Sequence, residues 1–262
     1  MTARDDIAFL VGSDCRVETL RTLDSEGLNP SALAERVSCA RETAQRNLAG
    51  FVERNWVRKE GGAYRLTAAG RMVLGQYRRL ERTVESADRL SVFLSNVGDA
   101  LDGVDPELLA AQTVTTSTSE NPHAPIERWL RIVDGVVDTY YGIAYAVSRV
   151  FNEAAEEAIG PDTRMELVIG QSVLETSREQ YPEALQLAFD LEQFTLLLSP
   201  VEPPFGLSIA DGHAWIGAHD ELGNVVASVD GDDEAFVEWA REVYDEHRER
   251  STLVEAESAS TP

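Results

Sequence analysis

Residues 30–67 read PSALAERVSCARETAQRNLAGFVERNWVRKEGGAYRLT, and this stretch decides the fold. Asn29-Pro30 is a helix start, with Asn as the cap and Pro in the first turn, where its missing N–H costs nothing. A short helix over residues 30–37 would bury Leu33 and Val37, and Ser38 punctuates. A longer helix then runs from about Ala40 to Asn55. Helical spacing puts Ala44, Leu48, Phe51 and Val52 on its buried side and Arg41, Thr43, Gln45 and Arg46 on the other. Residues 56–60 and 63–67 are short strand patterns around Gly61-Gly62, a hairpin signature. Upstream, 5–11 and 14–23 read as helices, the second carrying Val17, Leu20 and Leu23. Ser13 is its expected cap, and Gly27 its expected left-handed terminator. Three helices and a basic hairpin make the plan of a winged helix-turn-helix.

Charge follows the same division. Residues 1–80 hold 13 Arg and Lys against 10 Asp and Glu, while 81–262 hold 10 against 36, in a chain of net charge −23. A surface kept positive beside so acidic a remainder points to a polyanion, and DNA is the commonest. The first residues of a recognition helix meet base edges, here Arg41, Thr43, Gln45 and Arg46. Arg suits guanine O6/N7 and Gln suits adenine N6/N7, while Thr43 would touch a phosphate or a thymine methyl. Ser38 in the turn is a phosphate ligand, and Lys59 and Arg65 on the wing would meet backbone or minor groove. Glu42, Glu53 and Glu60 are the neighbours that could neutralise Arg46, Arg54 and Arg58.

Of the 23 basic residues only Lys59 is lysine. Acid excess with lysine avoidance reads as adaptation to a saline cytoplasm. Molar salt shortens the screening length to about 3 Å, so counterion release contributes little and base-edge contacts carry more of the affinity. The two cysteines, Cys15 and Cys39, read as small buried thiols. No secretory leader and no membrane-length apolar run is present, so a cytoplasmic protein is expected.

Four segments are expected: a DNA-binding domain over 1–67, a connecting and dimerisation helix over 68–98, an α/β effector-sensing domain over 99–252 and a disordered tail over 253–262. The helix is capped by Thr67 and ended by Gly98. Leu74, Tyr77, Leu80, Val84, Ala87, Leu90 and Leu94 recur along it every three or four residues, as in a two-stranded coiled coil. The alternative is a helix packed on its own C-terminal domain.

Beyond it lie a short helix near 106–111 and a polar Thr/Ser stretch that reads as loop or exposed strand. Strand patterns then fall at 140–147, 164–169, 194–198, 205–209, 213–218 and 224–229, with helices at 148–158, 172–191 (broken at Pro182) and 232–250. This order makes an α/β sandwich with a mixed sheet, and the chain as a whole is α+β and multidomain. A ligand would sit where strands lead into capped helices, at Ser148-Arg149 and Gln171-Ser172, suiting an anionic small molecule. Phe205, Trp215 and Tyr140 would wall the pocket. His123, His213, His219 and His247 lack metal-ligand spacing, and no GxSxG, Walker or GxGxxG motif occurs. Lysine is absent after residue 59, which removes the His-x-Lys chemistry of phospholipase D-like sheets. No catalytic residue, metal or cofactor is expected.

The runs FLVGSDCRVETLRTL (9–23), ALAERVSCARETAQRNLAGFVERNWV (32–57) and YRLTAAG (64–70) resemble the haloarchaeal winged-helix transcription regulators over about residues 5–98. Residues 120–250 resemble the effector-type domain first described in a methanogenesis regulator. The phrases that carry this are HAPIERWL (123–130), MELVIGQSVLE (165–175), PFGLSIADGHAWIGAHDELG (204–223) and EWAREVYDEHRE (238–249). The resemblance implies a sequence-specific, dimeric DNA-binding regulator with a ligand-sensing domain. A winged helix used for protein contact, or an enzyme with an accessory winged helix, are the alternatives.

Overall fold

The computed structural model describes residues 2–101 and 104–255. The chain divides into two compact units, Met1–Glu85 and Ser86–Pro262.

The N-terminal unit runs α1 (Ala3–Val11), α2 (Asp14–Ser25), α3 (Pro30–Arg36), α4 (Arg41–Glu53), β1 (Val57–Glu60), β2 (Ala63–Leu66) and α5 (Ala68–Arg89). Its core joins Leu10, Val17, Leu20, Leu23, Leu33, Leu48, Phe51, Trp56, Leu66 and Leu74. Local chemistry sets the ends. Thr2 and Asp5 form a capping box on α1, and the Asn29 side chain accepts from Ser31 N and Ala32 N on α3. Thr67 Oγ1 accepts from Gly70 N on α5. β1 and β2 pair antiparallel, and Leu28 adds a bridge to Tyr64. Gly61 and Gly62 have φ of +55° and +87°, as a two-residue hairpin turn of this hand requires.

Several expectations need correction here. Val52 is 40 % exposed, and Asn47, 2 % exposed, faces inward in its stead. Asn47 accepts from Arg16 Nε and donates to Cys15 Sγ, which ties α4 to α2. Gly27 is not left-handed; Ser38, with φ +47°, takes that conformation in this region. Gly27 instead makes room for the Arg65 side chain, which a Cβ there would meet at 2.7 Å. Ser13 sits at the cap of α2 without a side-chain hydrogen bond.

Gly70 explains why the phrase Thr67-Ala68-Ala69 ends in glycine. A Cβ at this position would lie 2.0 Å from the Trp56 carbonyl oxygen, so α5 rests directly on the backbone between α4 and the wing. Gly70→Ala gains helix propensity but forces α5 off this seat. We expect a net loss of about 1–3 kcal/mol of unfolding free energy, read from the denaturation midpoint.

In the C-terminal unit come α6 (Ser91–Val97), a single 3-10 turn (Gly98–Leu101), α7 (Pro106–Ala110), β3 (Thr113–Thr116), α8 (Ala124–Ile132), β4 (Val137–Ala144), α9 (Arg149–Ala158), β5 (Ile159–Ile169), α10 (Gln171–Gln180), α11 (Pro182–Phe189), β6 (Phe194–Leu198), β7 (Gly206–Ala210), β8 (His213–His219), β9 (Val225–Gly231), α12 (Glu234–Arg250) and β10 (Thr252–Leu253). Among the described residues these strands form one mixed sheet of order β10-β6-β5-β4-β7-β8-β9-β3. β4, β5 and β6 run parallel, and the other pairings are antiparallel.

Side-chain alternation divides the sheet's two faces. Leu207, Ile209, Ala214, Ile216 and Val229 point to one face, where Phe236, Ala240 and Tyr244 of α12 and Phe93 and Val97 of α6 complete a core. Ala210 and Trp215 point to the other, against Trp129 of α8 and Ala154 and Ala158 of α9. Ile169 and Leu196 meet Val173 and Leu174 of α10 nearby.

The continuous helix expected over 68–98 is therefore interrupted. It stops at Arg89, and Leu90, Phe93 and Val97 turn into the C-terminal core rather than along a coiled-coil seam. Their i, i+3, i+7 spacing is that of a helix lying on a sheet. Leu74 and Tyr77 belong to the N-terminal core. What remains of the stripe is Leu80, 57 % exposed, Val84, 61 % exposed, and exposed Ala87, with Leu94 of α6 also exposed at 38 %.

Gly160-Pro161, just past the helix expected over 148–158, lies inside β5. The polar Thr113–Thr116 is the edge strand beside β9. The expected disordered tail is ordered at its start, since Thr252 and Leu253 pair with Leu198 and Leu197 and Val254 is buried; its residues 256–262 lie outside the described residues. The 211–212 turn carries two positive φ angles, +45° at Asp211 and +83° at Gly212. The Asp211 carboxylate accepts from the Asp138 and Thr139 amides, which locks this hairpin to β4.

Candidate nucleic-acid interface and ligand cavity

The N-terminal end of α4 is open. Its N-cap is Ala40, which offers no side-chain hydrogen bond, so the first-turn amides keep their donors for an incoming oxygen. Arg41, Gln45 and Arg46 are exposed around this end, and Ser38 is exposed in the preceding turn. Thr43 is half-buried and stands at the edge of the face rather than on it. Lys59 and Arg65 are exposed on β1 and β2, with Lys59 Nζ 5.7 Å from the Tyr64 ring centroid.

Ion pairing takes up part of this unit's cations, and Arg16 and Arg71 donate instead to amide and backbone oxygens. Arg21 pairs with Glu18 at 2.7 Å and with Glu81, Arg36 with Glu26, Arg54 with Asp6 at 2.8 Å, Arg58 with Glu60 at 3.1 Å and Arg78 with Asp24 at 2.9 Å. Arg41, Arg46, Lys59 and Arg65 have no carboxylate partner among the described residues. Of the counterions considered from sequence, Glu60 thus neutralises Arg58 and Glu53 lies 4.0 Å from Arg54, which pairs more closely with Asp6, while Arg46 has no carboxylate partner among the described residues. The thiols flank this region half-buried, and burial, with Cys15 alongside, pushes the Cys39 thiol up to about 11.

The C-terminal unit encloses a cavity of about 350 Å³ between the sheet and α8 to α11. Trp129, Tyr140, Phe151, Trp215 and His219 are among its lining residues. Tyr140 and Trp215 wall it as expected from sequence, but Phe205 does not. It is 1 % exposed in the core under α12, edge-on to His247.

The expected anion positions are taken up by the chain's own groups. Ser148 caps α9 through Phe151 N, and Arg149 pairs with Glu153 at 2.7 Å. The Glu202 carboxylate accepts from Ser172 N at 2.9 Å and from Ser172 Oγ at 2.8 Å, and Gln171 donates to Glu175. A carboxylate on a helix N-terminus already satisfies the donors an anion would need. The signal missed in the sequence was Glu202, thirty residues away and brought to α10 by the turn after β6.

His219 is 6 % exposed, is stacked on Tyr145 at 4.2 Å, and burial brings its pKa down to about 4. Between pH 6.5 and pH 4 the unfolded chain binds a proton that the folded chain refuses, so this residue's contribution to stability falls as pH falls through that window. We expect about 3 kcal/mol of stability difference between pH 7 and pH 4 to be absent from His219→Phe, in parallel denaturation series.

Two comparisons assign the units. Residues 4–89 match the family model of the HVO_A0261 N-terminal domain, and residues 122–250 match that of the methanogenesis regulatory protein FilR1, middle domain. The chain is a haloarchaeal transcription regulator.

Among solved structures, the regulator is similar to TrmBL2, an archaeal chromatin protein whose structure shows a novel mode of DNA binding, at 12 % identity, 96 % coverage of this chain, 100 % of the other and a TM-score of 0.40. It is similar to NucT from Helicobacter pylori at 9 % identity, 55 % and 98 % coverage and a TM-score of 0.40, and to an IclR homolog from Microbacterium at 13 % identity, 88 % and 93 % coverage and a TM-score of 0.25. Likenesses this weak say nothing of activity. No curated protein sequence matches the regulator. Among the described residues no helix is long and apolar enough to cross a membrane, and no group of three or more His, Cys, Asp or Glu is placed to hold a metal.

Proposed function

We propose that the regulator binds double-stranded DNA sequence-specifically as a homodimer in the cytoplasm, with α4 in the major groove and the wing beside it. The observation that carries this is that Arg41, Arg46, Lys59 and Arg65 are exposed with no carboxylate partner among the described residues, whereas Arg16 and Arg71, also without one, donate to the chain's own oxygens and Arg4 lies on α1. These cations cluster on one helix end and one hairpin, where groove and backbone contacts are made. A winged helix used only for protein contact has no need of unpaired Arg41 and Arg46 flanking Gln45.

Ser38 and the open first turn of α4 would hold a phosphate, Arg41, Gln45 and Arg46 would read bases, and Thr43 would reach only the groove's edge. Lys59 and Arg65 would hold the backbone beside the wing.

The dimer is formed through α5. Leu80, Val84 and Ala87 lie at i, i+4 and i+7, exposed, on the stripe left over after both cores have taken their share. A two-fold pair of α5 helices would set two recognition helices at a fixed spacing on a pseudo-palindrome. Leu80→Glu/Val84→Glu is expected to give a monomer by light scattering and to shrink a two-fold footprint to a half-site. A double variant that stays dimeric would place the interface elsewhere. The α/β unit would bias this dimer on binding a small molecule.

A further inference from the structure

The cavity in the C-terminal unit identifies the chemistry of that small molecule. We infer that it is an uncharged, ring-bearing molecule with a hydrogen-bond acceptor, held between the sheet and α9 to α11, and not the anion that the capped helix starts suggest. This deepens the effector reading and rests on it only for its regulatory consequence.

Among the described residues, the lining contains no arginine or lysine. Arg149, the cation nearest in sequence, is absent from the lining and pairs with Glu153. His219 is held neutral at physiological pH by its burial. Of the described Asp and Glu residues only Glu156 borders the cavity, and it is exposed, so no charge compensates an anion within. Desolvating an anion there costs far more than desolvating a neutral ring. Trp129, Tyr140, Tyr145, Phe151, Tyr181 and Trp215 give the cavity aromatic walls instead.

Two further features call for an occupant. Asn152 Nδ2 and Trp215 Nε1, both on lining residues, are buried donors without a partner. Buried polar groups left unsatisfied are costly, and a carbonyl or ether oxygen on a ligand would accept from them after a small side-chain adjustment. The second feature is α11. It reads PEALQLAF, carries Ala184, Leu185, Leu187 and Ala188 on the cavity wall, and has no fully buried residue. Leu187 is 56 % exposed at the mouth. An apolar helix seated this loosely gains its missing packing from a molecule beneath it.

The test uses the full chain and N-phenylnaphthylamine, whose fluorescence rises in apolar sites, beside anilinonaphthalene sulfonate, the same rings with a fixed negative charge. Saturable binding of the neutral dye at one per chain, at least about tenfold tighter than the sulfonate, is expected. Naphthyl phenyl ketone, which adds a carbonyl, should displace the dye, and its advantage should shrink in Asn152→Leu. Ala184→Trp should fill the space and abolish binding, whereas Ala184→Ser, which keeps the space, should bind like wild type. Equal or tighter binding of the sulfonate, or no saturable binding of the neutral dye, overturns the inference. So does wild-type binding by an Ala184→Trp variant that folds. Titrations without DNA decide the site. DNA affinity measured with and without saturating dye decides separately whether the site regulates, so one reading can fail while the other stands.

Discussion

Arg128→Ala is expected to lower the unfolding free energy by about 3–5 kcal/mol, the cost typical of leaving one member of a buried ion pair alone. Asp230, on β9, is 0 % exposed. Its carboxylate accepts from Arg128 Nε at 2.9 and 3.0 Å and from Arg128 Nη2 at 2.5 Å, while His213 Nε2 lies 3.0 Å away. Arg128 reaches it from α8, so the pair fastens that helix to the edge half of the sheet. Removing the guanidinium leaves the buried carboxylate with His213 as its one remaining side-chain partner among the described residues. The double variant Arg128→Ala/Asp230→Ala should recover much of the loss, because no buried charge is then left unpaired. A single-variant loss under about 1 kcal/mol would mean that the pair behaves as an exposed one. Chemical denaturation of the three variants reads this directly.

Arg41→Ala/Gln45→Ala should cost about 2–6 kcal/mol of binding free energy at the preferred site, about 1–3 for each base that is no longer read, with the fold unchanged. Both side chains are exposed on α4 and neither takes part in the core, so thermal stability should move little. The effect should be specific: binding to unrelated duplexes should fall far less, because base discrimination and not net charge is removed. Lys59→Ala and Arg65→Ala should weaken binding to all sequences alike. Competition titrations against matched and scrambled duplexes separate the two patterns.

The winged helix was legible because local signals carry it. Asn29-Pro30 caps, Gly61-Gly62 turns, and the spacing of Leu33, Ala44, Leu48 and Phe51 all act within a few residues, and each appears in the structure. The strand 194–198 and the break at Pro182 were legible for the same reason. What failed depended on partners distant in sequence. The apolar stripe of 74–94 reads as one seam, yet Leu74 and Leu90 belong to two different cores. β10 is too short to announce itself and pairs on the open edge of β6, while β3, read as loop or exposed strand, is a strand because β9 offers it an edge. Asn47 turns inward because Arg16 and Cys15 await it. In the candidate site, the exposed cations on α4 and the wing could be read from spacing. Of the ligand cavity, Tyr140 and Trp215 could be read, but the filled helix starts could not, since Glu202 reaches α10 only through the fold.

The central claim is that α4 reads base sequence at the salt the protein works in. The most direct measurement is selection of duplexes from a randomised pool by the full-length protein in molar potassium chloride, with Arg41→Ala/Arg46→Ala as the control. The account predicts a single two-fold motif enriched by the wild type and absent from the control. Uniform recovery of all sequences by the wild type, or the same motif recovered by the control, would contradict it.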